Sequence, residues 1–337
     1  METRTLGRCL VTGATGFVGR RLVKRLLREG HDVRVFDLPG SKIPKKWDVE
    51  VVSGDIADAE SVTEAAAGAD TIFHLAAFIG DYGPWSRHEK VTVEGTRLVA
   101  GAAAASGARL VVSSSICAYG TALRNGPVTE ETPRGKPTGR YDRAKQLQED
   151  AALTSAADVA IVRPANVIGA RSGPWVLALT ETIRKGEPAI IGDGSGNAGL
   201  IYIENLLDIL LLAAERAELP HRVFNACDRY GVTWRQYAED LAKLIGAPPP
   251  KMIPRHTAWM VANAADALWR ATGRQDRPPL TRSTVNLCGY PMLIDMTRTE
   301  ETFGPLHSRP YSEALVEIAE YLDKNPSRTP TVGKAFG

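Results

Sequence analysis

A chain of 337 residues, 44% apolar and 24% charged, has the make-up of an ordinary globular protein, long enough to bury one large core and carry an appended lobe. Lys and Arg number 41 against 39 Asp and Glu, and a formal charge of +2 excludes the basic footprint of a nucleic-acid binder. No run reaches the roughly 18 apolar residues that a membrane span needs; the nearest, LLDILLLAA at 206–214, contains Asp208 and reads as a buried helix. METRTLGR leads into the first apolar run without a signal-peptide core. The four cysteines, Cys9, Cys117, Cys227 and Cys288, form no CxxC pair, and no His cluster has metal-ligand spacing. Reduced thiols, a cytoplasmic location and no metal are therefore expected.

In chain order, a strand-like run at 8–12 enters LVTGATGFVG at 10–19 and is followed by RRLVKRLLREG, with Leu22, Val23, Leu26 and Leu27 at helical spacing. That is strand, glycine turn, helix. Further strands are predicted at 32–36, 49–53, 70–74, 109–113 and 158–163, with helices at 58–66, 92–106 and 140–156. Such alternation predicts an α/β fold, a doubly wound parallel sheet with helices on both faces. After residue 164 proline and glycine become frequent, as in GDGSGN at 192–197 and APPP at 247–250, which predicts a smaller, irregular C-terminal substrate lobe. The expected boundaries are a dinucleotide-binding domain over 1–165, with 200–228 returning to it through a helix from Glu204 and a strand at 223–227. The lobe then takes 166–199 and 229–325, and a mobile polar tail 326–337.

A glycine-rich turn between strand and helix lets backbone amides approach a pyrophosphate at the positive end of a helix. Gly13 is expected to make the tight turn, Gly16 to admit the phosphates and Gly19 to let the helix pack closely on the sheet, with Thr15, Phe17 and Val18 completing the cradle. Asp37, at the end of the next strand, stands where an acid binds the adenosine ribose hydroxyls. Its carboxylate would repel a 2′-phosphate, and Leu38-Pro39-Gly40 after it supplies no arginine, so NAD is favoured over NADP. Arg20 and Arg21 remain within reach of a phosphate.

TGATGFVG resembles the signature of the extended short-chain dehydrogenase/reductase family, which includes nucleotide-sugar epimerases, dihydroflavonol reductases and 3β-hydroxysteroid dehydrogenases. The resemblance runs in order through GDI at 54–56, HLAA at 74–77, SSSICAYG at 113–120, YDRAK at 141–145, VRPANVIG at 162–169 and IYIENLLD at 201–208. It implies a Rossmann fold in which Asp55 and Ile56 flank the adenine and Leu75, Ala76 and Ala77 line the nicotinamide side. Ser113, Pro164, Asn166 and Val167 are implied as further cofactor contacts, Asn166 also touching substrate. Many relatives carry Asn where TVEGT at 92–96 has Thr92, so a supporting contact of the active-site helix is replaced or missing here. By family analogy the helices over 92–106 and 140–156 pair subunits of a homodimer.

Tyr141 and Lys145 are four apart on a predicted helix and share a face. An ammonium beside a phenol is expected to lower its pKa from about 10. In the family pattern Ser115 holds the substrate oxygen while Tyr141 exchanges its proton and hydride moves to or from nicotinamide C4; Ser114 is the neighbour that could substitute. Gly135 and Gly139 are expected to loosen the loop before Tyr141. His74 reads as structural, His31 and His88 as surface residues, and Cys117 as packing.

Sugar-nucleotide relatives carry an arginine in a stretch resembling GxGxxxRDFVYV, which here is GDGSGNAGLIYI with Ala198 at that place. Without that fork of donors a UDP-sugar is disfavoured. The segment after the fourth strand instead offers Phe78, Ile79, Tyr82 and Trp85, and Trp175 follows later, a set expected to bind a hydrophobic substrate. WMVANAADALW at 259–269 reads either as pocket wall or as the lobe's own core helix. From PLTRSTVNLCGYPM onward the chain resembles 3β-hydroxysteroid dehydrogenase-like and 3-oxo-acid-reductase-like members. The leading expectation is an NAD-dependent oxidoreductase acting on a hydrophobic secondary alcohol or ketone, of the 3β-hydroxysteroid, 3-oxo acid or dihydroflavonol kind. A nucleotide-sugar epimerase or dehydratase and a non-catalytic NAD(P)-binding sensor are the alternatives.

Overall fold

The apolar runs predicted as strands become β1 (Cys9–Thr12), β2 (Val33–Asp37), β3 (Glu50–Ser53), β4 (Thr71–His74), β5 (Arg109–Ser113) and β6 (Asp158–Pro164) in the computed structural model, which describes residues 2–325. The tail expected to be mobile lies outside those residues. Outside this run of strands come β7 (Asn166–Ile168), β8 (Pro188–Ile191), β9 (Leu200–Tyr202), β10 (Val223–Ala226) and β11 (Lys251–Ile253). Seven strands pair in the order β10-β6-β5-β4-β1-β2-β3, every pairing parallel. The order reverses between β1 and β4, and in such sheets the ligand crevice opens there, at the carboxyl ends of the strands. β7 pairs with β9 and β8 with β11 in two short parallel pairs beyond the main sheet.

The helices are α1 (Phe17–Arg28), α2 (Ala59–Ala66), α3 (Trp85–His88), α4 (Gly95–Ser106), α5 (Arg140–Leu153), α6 (Leu179–Arg184), α7 (Ile203–Glu215), α8 (Trp234–Leu244), α9 (Arg255–Thr272), α10 (Arg282–Cys288), α11 (Thr297–Phe303) and α12 (Tyr311–Lys324). One core cluster joins the inner face of α1 (Leu22, Val23, Leu26) to α7 (Leu206, Leu207, Leu210) across β1 and β2. A second packs α2 and α4 on the other face, through Val62, Val99 and Ala103 against Ile72 and Leu110. Burial on both faces explains why these strands read as continuous apolar runs rather than alternating ones. The predicted helix at 92–106 is split: a wide π turn over Glu89–Glu94 precedes α4.

Charge is used to clamp the layers. Arg25 on α1 reaches Glu204 and Asp208 on α7, both at 2.8 Å. Glu149 on α5, 1% exposed, receives Arg163 of β6 through two bonds of 2.8 and 2.7 Å and the Ser114 hydroxyl at 2.6 Å. Removing one member of such a buried pair strands the other. Glu149→Ala is expected to cost about 3–5 kcal/mol in urea unfolding, whereas exposed Glu94→Ala, which removes the surface pair with Arg97, should cost less than about 1 kcal/mol.

Candidate active site

The turn between β1 and α1 is shaped by contacts that only glycine tolerates. Gly13 takes φ of +67°, and a Cβ there would stand 2.9 Å from the Ala76 nitrogen at the end of β4. A Cβ on Gly19 would meet the Gly13 carbonyl oxygen at 2.2 Å, so Gly19 brings α1 down onto the turn itself rather than onto the sheet. Gly16 precedes α1 in extended conformation, and no side chain caps the helix, so the amides of its first turn, from Phe17, Val18 and Gly19, fit an anion. Asp37 borders this cradle: its carboxylate accepts from Thr15 N at 2.8 Å and from Leu38 N and the Ser41 hydroxyl at 2.9 Å. Arg20 braces the same corner by donating to the carbonyls of Thr15 and Lys42. Arg21 instead points across to Glu204 and Glu317. Asp55 pairs with Lys90 at 2.9 Å, and Ile56 packs on Gly95, where a Cβ would approach it to 3.1 Å. The uncapped helix start, the glycine cradle and the nearby carboxylate together fit a dinucleotide.

Behind that turn runs a chain of buried polar side chains. Thr12 Oγ1 accepts from the amides of Leu75 and Ala76, both at 3.2 Å, which directs its own proton to His74 Nδ1 at 2.9 Å. His74 Nε2–H then donates to Thr96 Oγ1 at 2.9 Å, where Gln148 Nε2 also donates, at 3.0 Å. Gln148 Oε1 accepts from Lys145 Nζ at 2.8 Å, and Lys145 donates a second bond to the Ser113 carbonyl at 2.9 Å. His74, Thr96 and Gln148 are fully buried. Burial, reinforced by the Lys145 charge, pulls His74 down to about 3, so it is a neutral link and not a base. The Thr92 hydroxyl, where many relatives have Asn, accepts from Phe78 N at 3.0 Å and thus tethers the segment after β4.

Ser115, Tyr141 and Lys145 come together at the carboxyl end of β5. Ser115 starts a 3₁₀ turn by accepting from Cys117 N at 3.1 Å, and its hydroxyl acts on the Tyr141 phenol to hold its pKa down. Lys145 Nζ is 5.7 Å from the Tyr141 ring centre. Ser114 is spent on Glu149, and Ser115 remains the candidate serine. One electrostatic expectation is reversed. The Tyr141 phenol is pushed up, not down: burial leads, the nearby Cys117 and Asp142 add to it, and the Ser115 bond only partly opposes it. Burial also brings Lys145 down to about 8. Desolvation decides the direction at both groups, disfavouring the phenolate and the ammonium alike. Cys117 is itself buried and pushed up, an inert thiol.

The loop before Tyr141 is not loosened by its glycines. Gly139 lies against Asp81, whose carboxylate would overlap any Cβ there, and Asp81 accepts from the Arg140 amide at 2.6 Å and from the Tyr141 amide. It caps α5 from outside that helix. Burial first, then Asp142, lifts Asp81 to about 7. Asp142, also raised by burial, accepts from Thr138 and, at 2.8 Å, from Ser283 of α10, tying α5 to the C-terminal part of the chain.

The remaining predicted residues are dispersed. Tyr82 and Trp85 line a cavity of about 290 Å³ beside Gly139 and Arg140. Phe78 is 5% exposed and meets His88 edge-on at 4.7 Å. His88, expected at the surface, is fully buried and bonds the Tyr82 carbonyl. Ile79 is 45% exposed. Ala77 lies half-buried between the β4 end and Phe78. Pro164 ends β6 opposite Ala226, and Val167 accepts from the Ser172 hydroxyl. Asn166 is buried in β7 with its amide on the Ala198 carbonyl at 2.7 Å, and Ala198 itself has no exposed surface. Trp175 packs on Trp234, and its carbonyl accepts from Tyr237. In α9, Ala258, Ala262 and Ala265 face inward while Met260, Val261 and Leu268 are exposed. What the sequence reading missed is charge: Arg143, Arg270, Arg274 and Arg282 also line the cavity. They come from three separate segments, and no local pattern links them.

Comparison with known proteins agrees with this fold. The family described as the NAD dependent epimerase/dehydratase family matches residues 9–227. The chain is 30% identical over 308 residues to a 2-alkyl-3-oxoalkanoate reductase of Stenotrophomonas maltophilia, covering 88% of this chain and 93% of that one. It is 34% identical over 227 residues to a 3-beta-hydroxysteroid dehydrogenase of Mycolicibacterium neoaurum, covering 62% of this chain and 61% of the other. The crystal structure of gox2253 shares the fold with a TM-score of 0.76 at 24% identity, over 94% of this chain and 98% of that one. Among the described residues no helix is long and apolar enough to cross a membrane.

Two pH effects follow from the site. Because Asp81 binds its proton more tightly folded than unfolded, stability contributed there falls as pH rises from about 3.8 through about 7. Asp81→Asn should therefore raise Tm relative to wild type at pH 8 and lose that advantage at pH 4. For Lys145, kcat/KM should break downward as the ammonium loses its proton near pH 8. Gln148→Leu removes an acceptor of the charged form, so the break should move to lower pH; an unmoved break would refute the link.

Proposed function

The chain belongs to the NAD-dependent epimerase/dehydratase family, and from that premise we propose that it oxidises or reduces a hydrophobic secondary alcohol or ketone with NAD as the hydride carrier. The carrying observation is the convergence of Ser115, Tyr141 and Lys145 where β5 meets the glycine turn. Residues suited to hold the dinucleotide are the first-turn amides of α1 for its pyrophosphate and Asp37 for its ribose. When bound, NAD supplies the acceptor for the hydride leaving a carbinol carbon.

The protein's own part is proton transfer and orientation. In oxidation the phenolate form of Tyr141, which burial disfavours, takes the proton of the substrate hydroxyl, and Ser115 donates to the same oxygen as it becomes a carbonyl. Lys145, with two of its three N–H bonds committed to Ser113 and Gln148, is held as a fixed positive charge beside the phenol ring. In reduction the same groups run in reverse, Tyr141 returning its proton to the alkoxide oxygen. A buried Ala198, in place of the arginine of the diphosphate-binding pattern, favours this reading over a nucleotide sugar. The alkanoate and steroid substrates in the names of the two relatives lie in the same apolar class.

Tyr141→Phe should lower kcat by roughly 100- to 10,000-fold while NAD affinity by calorimetry stays within about threefold of wild type. A panel of hydroxy acids, sterols and UDP-sugars, followed by NADH absorbance and by sugar interconversion, tests the substrate class. Epimerised UDP-sugar with no NADH from any alcohol would overturn the proposal.

A further inference from the structure

Helix α9 turns a face without charge toward solvent. At about 100° per residue, Met260, Val261, Ala264, Ala267, Leu268 and Ala271 fall within an arc of roughly 120° on this helix, and all six are exposed. Met260 and Leu268 are 61 and 52% exposed, so more than half of each large side chain meets water. On the opposite face Ala258 and Ala262 pack with Val285 of α10 and Ile191 of β8, which fixes the helix with its apolar arc outward. The charged side chains of α9, Arg255, Asp266 and Arg270, fall outside the arc. An isolated exposed apolar residue needs no explanation, but a continuous row along one helix face does.

Charge is distributed unevenly around this helix. Residues 251–282 hold six Lys and Arg against two Asp, a balance of +4, so the rest of the chain is −2 and the positive excess of the whole protein originates here. Lys251 and Arg255 stand before and at the start of α9, and Arg270, Arg274 and Arg277 at and beyond its end, so cations bracket the apolar arc. Arg270 and Arg274 pair with Asp266 and Asp276. Lys251, Arg255 and Arg277 are exposed and belong to no ion pair among the described residues. Such a strip is complementary to a lipid surface with anionic head groups, where acyl chains receive the apolar side chains and phosphates receive the cations. A protein partner suits it less. The 18 residues of α9 give a strip about 27 Å long and about 10 Å wide, about a third of the ~800 Å² that each side of a stable protein interface buries.

We propose that α9 docks the protein on an anionic membrane surface, lying in the interfacial layer with Met260, Val261 and Leu268 toward the acyl chains and the bracketing cations among the head groups. The helix lies on the bilayer rather than across it, since no helix among the described residues is long and apolar enough to span. The inference stands apart from the oxidoreductase reading, because it uses none of Ser115, Tyr141 and Lys145.

The test is sedimentation of the full-length protein with vesicles of phosphatidylcholine alone and of phosphatidylcholine with an equal part of phosphatidylglycerol. Expected is at least about tenfold tighter binding to the anionic vesicles, weakened by added salt. Met260→Asp combined with Leu268→Asp should weaken that binding at least about tenfold, and Lys251→Gln combined with Arg277→Gln should bring the two compositions toward equal affinity. All four positions are exposed, so both variants should melt close to wild type, and each is compared with wild type below its Tm. Wild type that stays in the supernatant with both compositions, binds both equally, or binds as well after the Met260 and Leu268 substitutions would overturn the proposal. So would gel filtration showing a dimer that those two substitutions split, because a second copy would then cover the strip.

Discussion

An ammonium group shut away from water must be met by acceptors, and the acceptors that meet Lys145 organise the site. The side chain is 2% exposed and burial brings its pKa from 10.5 to about 8, a cost of about 3 kcal/mol to the charged form. The last carbonyl of β5 and the amide oxygen of Gln148 offset part of it. Gln148 is placed in turn by Thr96, and Thr96 by His74, whose other nitrogen accepts from Thr12 at the mouth of the glycine turn. A single directed line of hydrogen bonds therefore joins the cradle, the centre of the sheet and the catalytic helix. Every member is buried, so a defect at one link leaves a polar group unpaired at the next.

The start of α5 carries a second constraint of the opposite sign. Burial raises both Asp81 and Asp142, Asp142 adds to the rise at Asp81, and each is held by donors from the segment that delivers Tyr141. Asp142 also accepts from Ser283, so the C-terminal part of the chain is fastened to the same turn. The arginines of the cavity then lie around an anchored helix start rather than on a loose flap. The acid pair and the cavity share Asp81, Thr138 and Gly139 at the start of α5.

Some of this was legible before any coordinates. The glycine spacing, the apolar strand runs and the four-residue interval between Tyr141 and Lys145 are local regularities, and local regularities map onto local structure. β10 was foreseen from VFNAC, and it pairs with β6. Other features resisted for identifiable reasons. His88 reads as a surface residue because its neighbours Glu89 and Lys90 are polar, yet it is buried under Phe78. The direction of the Tyr141 shift depends on how completely the phenol is enclosed, which no spacing rule reports.

The amino-acid order by itself determined the doubly wound sheet, through apolar runs alternating with helical patterns, and it singled out the glycine turn at residues 13–19 and Ser115, Tyr141 and Lys145 as candidates, because each of these short patterns is local and needs no distant partner to be recognised. Only the tertiary structure decided that Gln148, Thr96 and His74 form one line to Lys145, that Asp81 caps the catalytic helix, and that Arg143 and Arg282 face a common cavity. Those groups lie tens to more than a hundred positions apart along the chain. Their chemistry depends on separation in space and on exclusion of water, and both are set by how the layers pack.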